Sequence, residues 1–157
     1  MIRLAMLSEV GAVHRSMRAA FLETAKFAEP SSALRETEED VARAMVRGGA
    51  VLAEASGETI GSARFAWEPD AIVLARVAVI PAHQGRRVGR SLVGFLEELG
   101  RRSGRLVVRT SARSQQPDNR GWWQALGYEI VGYEDVYGVP RLKTLLRKSL
   151  PALPESP

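Results

Sequence analysis

The sequence predicts an α/β fold, a single domain on a mixed, mostly antiparallel central sheet of about seven strands flanked by about four helices. Three observations predict it. Apolar residues recur at helical spacing in some segments and fill short, strand-length runs in others. Clusters of Gly, Pro and Ser punctuate the chain between them. The resulting order reads β-α-α-β-β-β-α-β-α-β-β, with no internal repeat and no interdomain linker. At 157 residues the chain suits one core and is short for two. Residues 1–150 are expected to form the domain, and "PALPESP" (151–157) to be a frayed tail.

The elements follow in order. "IRLAML" reads as a first strand. Ser8 is placed to cap a helix carrying Val10, Val13, Met17 and Phe21 at helical spacing, broken by Pro30 and the serines after it. A second helix starts near Thr37, with Asp40 three residues on in a capping-box pattern, and stops at Gly48-Gly49. "AVLAEA" and "IGSARFAW" are strands around the turn "SGET", where Gly57 supplies a positive φ. "AIVLARVAVI" carries Arg76 as its only charge, as a strand covered on both faces does. From Val88 onward, Val88, Leu92, Phe95, Leu96 and Leu99 make one helical stripe. "RLVVRT" is a further strand. "SQQPDNRGWWQAL" is a loop and helix, with Pro117 near its first turn and Gly127 closing it. "YEIVGYE" and "RLKTLLRKSL" are the last two strands.

Composition narrows the function. The chain has no cysteine and two histidines, His14 and His83, so thiolate and histidine-rich metal sites are excluded and no metal is expected. No apolar run approaches the roughly 20 residues that span a bilayer, and the N-terminus lacks a signal-peptide pattern. No membrane partner and a cytoplasmic location are therefore expected. Charge is uneven: Gln84–Arg113 holds eight arginines against Glu97 and Glu98, whereas Phe21–Ile60 holds eight acidic residues against four basic ones. A local basic excess suits a phosphorylated ligand, although solvated helix faces show the same run.

The stretch "RVAVIPAHQGRRVGRSLVGFLEE" places glycines and arginines where the buried strand hands over to a helix. Helix N-termini present unpaired N–H groups and partial positive charge, so the junction suits a phosphate or pyrophosphate. Gly85 and Gly89 permit close backbone approach, and Arg86, Arg87 and Arg90 add forked donors. The chain has no G-x-x-x-x-G-K-[ST] and no G-x-G-x-x-G after a first strand, which demotes P-loop and dinucleotide readings. A loop whose glycines merely turn the chain stays open on these residues alone.

The same stretch resembles the acetyl-coenzyme A signature of the GCN5-related N-acetyltransferase (GNAT) superfamily, in which V-x-P leads to Q/R-x-x-G-x-G/A at a helix start. Gln84, Arg87 and Gly89 occupy its motif positions, with Arg87 standing where glycine is usual; a helical backbone there would let the side chain point outward. "QPDNRGWWQALGYEIVGYE" is similar to the family's downstream segment, with Gln116 in place of asparagine, Pro117 matching, Trp122-Trp123 at the aromatic–tyrosine pair and Gly127-Tyr128 at G-F. The resemblance implies an acetyl-coenzyme A-dependent N-acetyltransferase that moves acetyl to a primary amine of a small molecule or peptide by direct attack. It places backbone groups of Val77, Ala78 and Val79 on pantetheine, those of Gln84, Gly85, Arg86, Arg87, Val88, Gly89 and Arg90 around the pyrophosphate, and Gln116 at the cofactor.

Catalytic groups are less defined. Glu68 and Asp70, just before the apolar strand, are base candidates, although both also fit a polar turn. Trp123 stands where many relatives carry an acid tyrosine and reads as core beside Trp122; Tyr128 reads as core, and Tyr133 and Tyr137 are the substitute acids. Arg76 is a structural or substrate-carboxylate partner. The acidic group Glu36, Glu38, Glu39 and Asp40 could draw a cationic amine, or simply stabilise a helix N-terminus. Two other classes stay open: a non-catalytic acyl-coenzyme A binder, and a nucleic-acid module, for which the chain has no reading helix or aromatic platform. No nucleic-acid partner is expected, and a homodimer stays open.

Overall fold

A computed structural model describes residues 1–114 and 118–155. The strands are β1 (Ile2–Leu4), β2 (Gly48–Ala55), β3 (Glu58–Trp67), β4 (Ala71–Val79), β5 (Val107–Arg113), β6 (Glu129–Val136) and β7 (Val139–Ser149). The helices are α1 (Val10–Phe21), α2 (Glu38–Arg47), α3 (Val88–Arg102) and α4 (Arg120–Ala125). Seven strands form one sheet in the order β1-β2-β3-β4-β5-β7-β6. β4 and β5 pair in parallel, with Ala71 opposite Val107, while β1–β2, β2–β3, β5–β7 and β6–β7 are antiparallel. The mixed sheet and its element order are those the apolar spacing predicts. Among the described residues no helix is long and apolar enough to cross a membrane. Packing divides the chain into two compact units, Met1–Ala66 with Leu74–Leu96, and Trp67–Val73 with Glu97–Pro157.

In the first unit the helical stripes meet the sheet. Val13 and Met17 of α1, Val41 and Met45 of α2, and Ala50, Leu52 and Ala78 of the strands form one buried cluster. Ser16 is also buried, and its hydroxyl is satisfied by the Ala12 carbonyl (2.9 Å) and by Ser62 Oγ of β3 (2.7 Å), so it costs the core little. Thr37 and Asp40 form the expected capping box: Thr37 N–H donates to Asp40 Oδ2 (2.8 Å) and Asp40 N–H to Thr37 Oγ1 (3.1 Å). Ser56 and Gly57, with φ of 51° and 79°, make the positive-φ turn between β2 and β3.

Two boundaries differ from the sequence expectation. Ser8 does not cap α1. Leu7–Glu9 form a 3-10 turn, and the longer Glu9 side chain reaches back to accept from Met6 N–H (2.9 Å) while Arg3 grips the same carboxylate. Gly48 and Gly49 do end α2, but they also open β2. A Cβ on Gly48 would sit 2.0 Å from the Phe65 carbonyl oxygen, and one on Gly49 2.4 Å from the Phe65 ring, so only glycines allow this approach.

The second unit is built on β5, β7 and β6. Tyr128 is buried beside Trp123, ring centroids 4.9 Å apart, and its hydroxyl donates to Glu97 Oε2 (2.9 Å). Glu97 also receives Lys148 Nζ at 3.0 Å, and that ammonium donates to the Leu126 carbonyl (2.8 Å), so the buried Tyr128 hydroxyl and the two half-buried charges are all partnered. Trp123 is core, as expected, but Trp122 is 40% exposed. Adjacent helical residues point about 100° apart, so the pair cannot share one face. β5 starts at Val107 because Arg105 is taken into a turn, its N–H bonded to Gly100 O and its guanidinium 4.9 Å from the Trp67 ring centroid.

Gly61 of β3 seats the start of α3. A Cβ there would meet the Ala78 carbonyl oxygen at 2.8 Å and the Leu92 and Val88 side chains at 3.3 and 3.4 Å. Gly61→Ala should therefore destabilise the fold by about 1–3 kcal/mol, because a backbone oxygen cannot step aside. Gly94→Ala, on α3 with nothing within 4 Å of the added carbon, should stabilise it by about 0.5–1 kcal/mol. Urea unfolding of both variants checks the pair.

Candidate functional site

β4 does not run as a regular strand. Arg76, inside it, holds φ at 53°. Left-handed backbone costs a non-glycine residue about 1 kcal/mol or more, and within a strand it re-aims the side chains on either side. Val77, Ala78 and Val79 follow, Ala78 buried and its neighbours half-buried. Ile80 N–H donates to Ile60 O (2.9 Å), and a 3-10 turn over Pro81–His83 then leads to the glycine-arginine loop.

That loop has a defined geometry. Gly85 and Arg87 both take left-handed backbone, with φ of 78° and 64°. Arg87 is therefore not helical, contrary to the reading under which its side chain was tolerated. It occupies a conformation that glycine adopts at no steric cost. The first bond of the α3 ladder runs from Ser91 N–H to Arg87 O (3.1 Å), so the N–H groups of Val88, Gly89 and Arg90 precede any carbonyl one turn back. Gln84 N–H is committed to Pro81 O (3.3 Å), and its side chain donates to Val79 O (3.0 Å), tying the loop to the end of β4. Gln116, expected at the cofactor, lies outside the described residues.

Electrostatics separates the loop arginines from the others nearby. Arg101 and Arg102 pair with Glu98, and Arg109 with Glu68 and Asp70. Arg86, Arg87 and Arg90 are exposed, and among the described residues none of the three is ion-paired. Together with the first-turn N–H groups, they make a cationic donor set that fits a pyrophosphate. Among the described residues no group of three or more His, Asp or Glu could hold a metal ion.

The expected acid–base candidates sit in other surroundings. Glu68 and Asp70 flank the turn into β4, where Arg109 donates to Glu68 Oε1 (3.3 Å) and to both Asp70 oxygens (3.1 and 3.2 Å). The hydrogen bond and charge of Arg109 hold the Asp70 carboxyl below its usual range. Tyr133 lies beneath the Arg141 guanidinium, 3.9 Å from its ring centroid. Tyr137 stands at the β6–β7 turn, 62% exposed with φ of 53°.

A second cluster lies in the first unit. Arg64, 8% exposed, is held in a bidentate pair by Glu36, both contacts at 2.9 Å. The Arg76 Nε lies 3.5 Å from the same carboxylate, and its terminal nitrogen donates to Ser32 Oγ (2.8 Å). Sequence reasoning missed this assembly, because the glutamate and its arginines share no local spacing. The acidic group offered either as a lure for a cationic amine or as support for a helix N-terminus is engaged in large part: Glu36 by two arginines, and Glu39 and Asp40, in the first turn of α2, by Arg43. An open groove is floored by Leu7, Val10, Ala42 and Val46 and edged by Glu38, Glu39, Arg43 and Arg47, and it shares no residue with the loop 84–90 or with the Arg64–Glu36–Arg76 cluster.

The family model of the acetyltransferase (GNAT) family matches residues 14–128. Solved N-acetyltransferase structures superpose on nearly the whole chain. The ribosomal-protein-S18-alanine N-acetyltransferase of Escherichia coli does so with a TM-score of 0.77 at 16% identity, covering 99% of this chain and 96% of that one. The PaiA N-acetyltransferase of Thermoplasma acidophilum, in complex with coenzyme A, gives 0.78 at 16% identity, covering 95% and 98%. An aminoglycoside 6'-N-acetyltransferase complexed with coenzyme A gives 0.76 at 15% identity, covering 99% of each chain. At these identities the likeness is one of fold. No curated protein sequence matches the chain.

Burial pushes the Glu36 carboxyl up, but the hydrogen bonds from Arg64 and the charges of Arg76 and Arg64 outweigh it and hold the group below its usual 4.5. A carboxyl lowered on folding adds stability above its unfolded value, and that stability is lost as pH falls through the folded value. Glu36→Gln should cost about 3 kcal/mol near neutral pH, since it strands the buried Arg64. Urea unfolding of wild type and variant should show the gap shrinking once pH drops below 4.5, and a gap unchanged in acid would contradict this reading.

Proposed function

The chain belongs to the acetyltransferase (GNAT) family, and from that premise we propose that it transfers the acetyl group of acetyl-coenzyme A to a primary amine, with the cofactor pyrophosphate held at the loop 84–90. The observation that carries the reading is the loop itself. Two left-handed residues turn the chain into the start of α3, and three exposed arginines, not ion-paired among the described residues, lie on the same short loop and first turn. The donors are the N–H groups of Gly85 to Arg90, Gln84 acting instead as a brace from the loop to β4. Val77, Ala78 and Val79 supply backbone groups for the pantetheine arm; the Val79 carbonyl already accepts from Gln84, and its second lone pair is the one left for a ligand.

Bound acetyl-coenzyme A supplies a thioester that a neutral amine attacks directly, the C–N bond forming as the C–S bond breaks. An α-amino group, near pKa 8, yields its proton to water more readily than a lysine amine near 10.4. Asp70 is a poor base, because Arg109 stabilises its ionised form, and Glu68 shares that arginine. Water is the proton acceptor in this account. A thiol has a reference pKa near 8.5, so the thiolate can leave near neutral pH without a tyrosine, and neither Tyr133 nor Tyr137 is assigned as the acid. Positioning of amine and thioester supplies the main rate gain. The protein works without metal, on a small-molecule or peptide amine.

Gly89→Asp should weaken coenzyme A binding by about 100-fold or more, because a carboxylate is set against the pyrophosphate. Arg87→Gly should keep affinity within about threefold, glycine being at ease where φ is 64°. Calorimetry on the two variants checks both, and unchanged affinity in the aspartate variant would sink the assignment.

A further inference from the structure

We propose that the groove between α2 and the start of α1 is the docking surface for a second copy of the chain, with the two α2 helices antiparallel about a two-fold axis.

The apolar part of α2 is wider than the core covers. Val41 and Met45, one turn apart, are buried. Ala42 and Val46, also one turn apart, are rotated from them by about 100° and floor the groove with Leu7 and Val10. Val46 is 71% exposed and Leu7 54%. Met6, next to Leu7 in the chain, is 63% exposed as well. Single exposed apolar residues are ordinary on a monomer, whereas several around one open groove mark a contact surface.

Charge selects the occupant. Glu38 and Glu39 edge the groove at the N-terminal end of α2, and Arg43 and Arg47 edge it toward the C-terminal end, so the four carry no net charge. Glu39 is engaged with Arg43, but neither Glu38 nor Arg47 is ion-paired among the described residues. These two are the first and last residues of α2, about 13 Å apart along its axis. A second α2 laid antiparallel, with the two-fold axis between Ala42 and Arg43, sets Glu38 of each copy level with Arg47 of the other. Val46 of each copy then comes level with Glu39 of the other. That is the end of the groove where α1 begins, since a Cβ on Gly11, next to Val10, would lie 3.6 Å from Glu38 Oε1. A parallel arrangement would set like charges together, and a uniformly acidic or basic partner would be repelled by half of the rim. The helix dipole accounts for the order of the charges along α2, but not for an apolar floor left open between them. Two-fold pairing uses both, and makes each contact twice.

Sedimentation velocity of the full chain from about 1 to 200 µM tests the pairing. A concentration-dependent species of twice the 17.2 kDa chain mass is expected, with a micromolar dissociation constant. Val46→Asp should raise that constant by at least about 100-fold, with far-UV circular dichroism unchanged because the side chain is exposed. Arg47→Glu and Glu38→Arg should each raise it by at least about tenfold. The double variant should return to within about threefold of wild type. Both single changes oppose the helix dipole, so damage to α2 alone would make the double variant the weakest, whereas recovery marks a pair formed across the axis. A chain that stays monomeric over the whole range would overturn the proposal. So would a dimer indifferent to Val46→Asp, which would place the contact on another face such as the β1 edge. A double variant no tighter than the single ones would overturn it too.

Discussion

The left-handed residue in β4 is the constraint on which the site depends. A strand with regular backbone would carry Arg76 and the three residues after it in simple alternation. With φ at 53°, Arg76 instead turns into a pocket of Phe21, Ser32 and Glu36, while Ala78 stays in the core. The strand end is then pinned by Ile80 N–H on Ile60 O and by the Gln84 side chain on Val79 O. Gly61 leaves room for α3 to start against these atoms. The loop inherits its direction from that anchored end, and its own two left-handed residues complete the turn into the helix.

The arginine content of the chain becomes intelligible when the residues are taken one at a time. Three of the eight arginines from Gln84 to Arg113 belong to ordinary surface pairing, in which Glu98 serves two and Glu68 with Asp70 serve one. Such exposed pairs contribute little stability. The loop arginines and Arg76 are set apart by what surrounds them. Three stand beside first-turn N–H groups of α3, and Arg76 shares Glu36 with Arg64.

The fold was legible because periodicity reports burial directly. Val13 and Met17, or Leu92 and Leu96, lie one turn apart and are buried together, and the capping box of Thr37 and Asp40 is written within four residues. The loop was legible for a different reason, since its glycines, arginines and helix start are contiguous. Long-range partnerships were not. Glu36 meets Arg64 28 positions downstream, and nothing in the acidic run around it marks it off from Glu38 or Glu39. Backbone handedness was hidden too: Arg76 and Arg87 are left-handed although no glycine announces it, and Trp122 parts from Trp123 only once α4 fixes its direction.

The central claim concerns the backbone groups that coenzyme A touches. Amide hydrogen exchange of the full chain, with and without saturating coenzyme A, reads this directly. Protection is expected in the Gly85–Arg90 amides and in Val77–Val79, with the Leu7–Val10 and Ala42–Val46 segments of the apolar groove unchanged. Unaltered exchange at the loop with protection concentrated in that groove would contradict it.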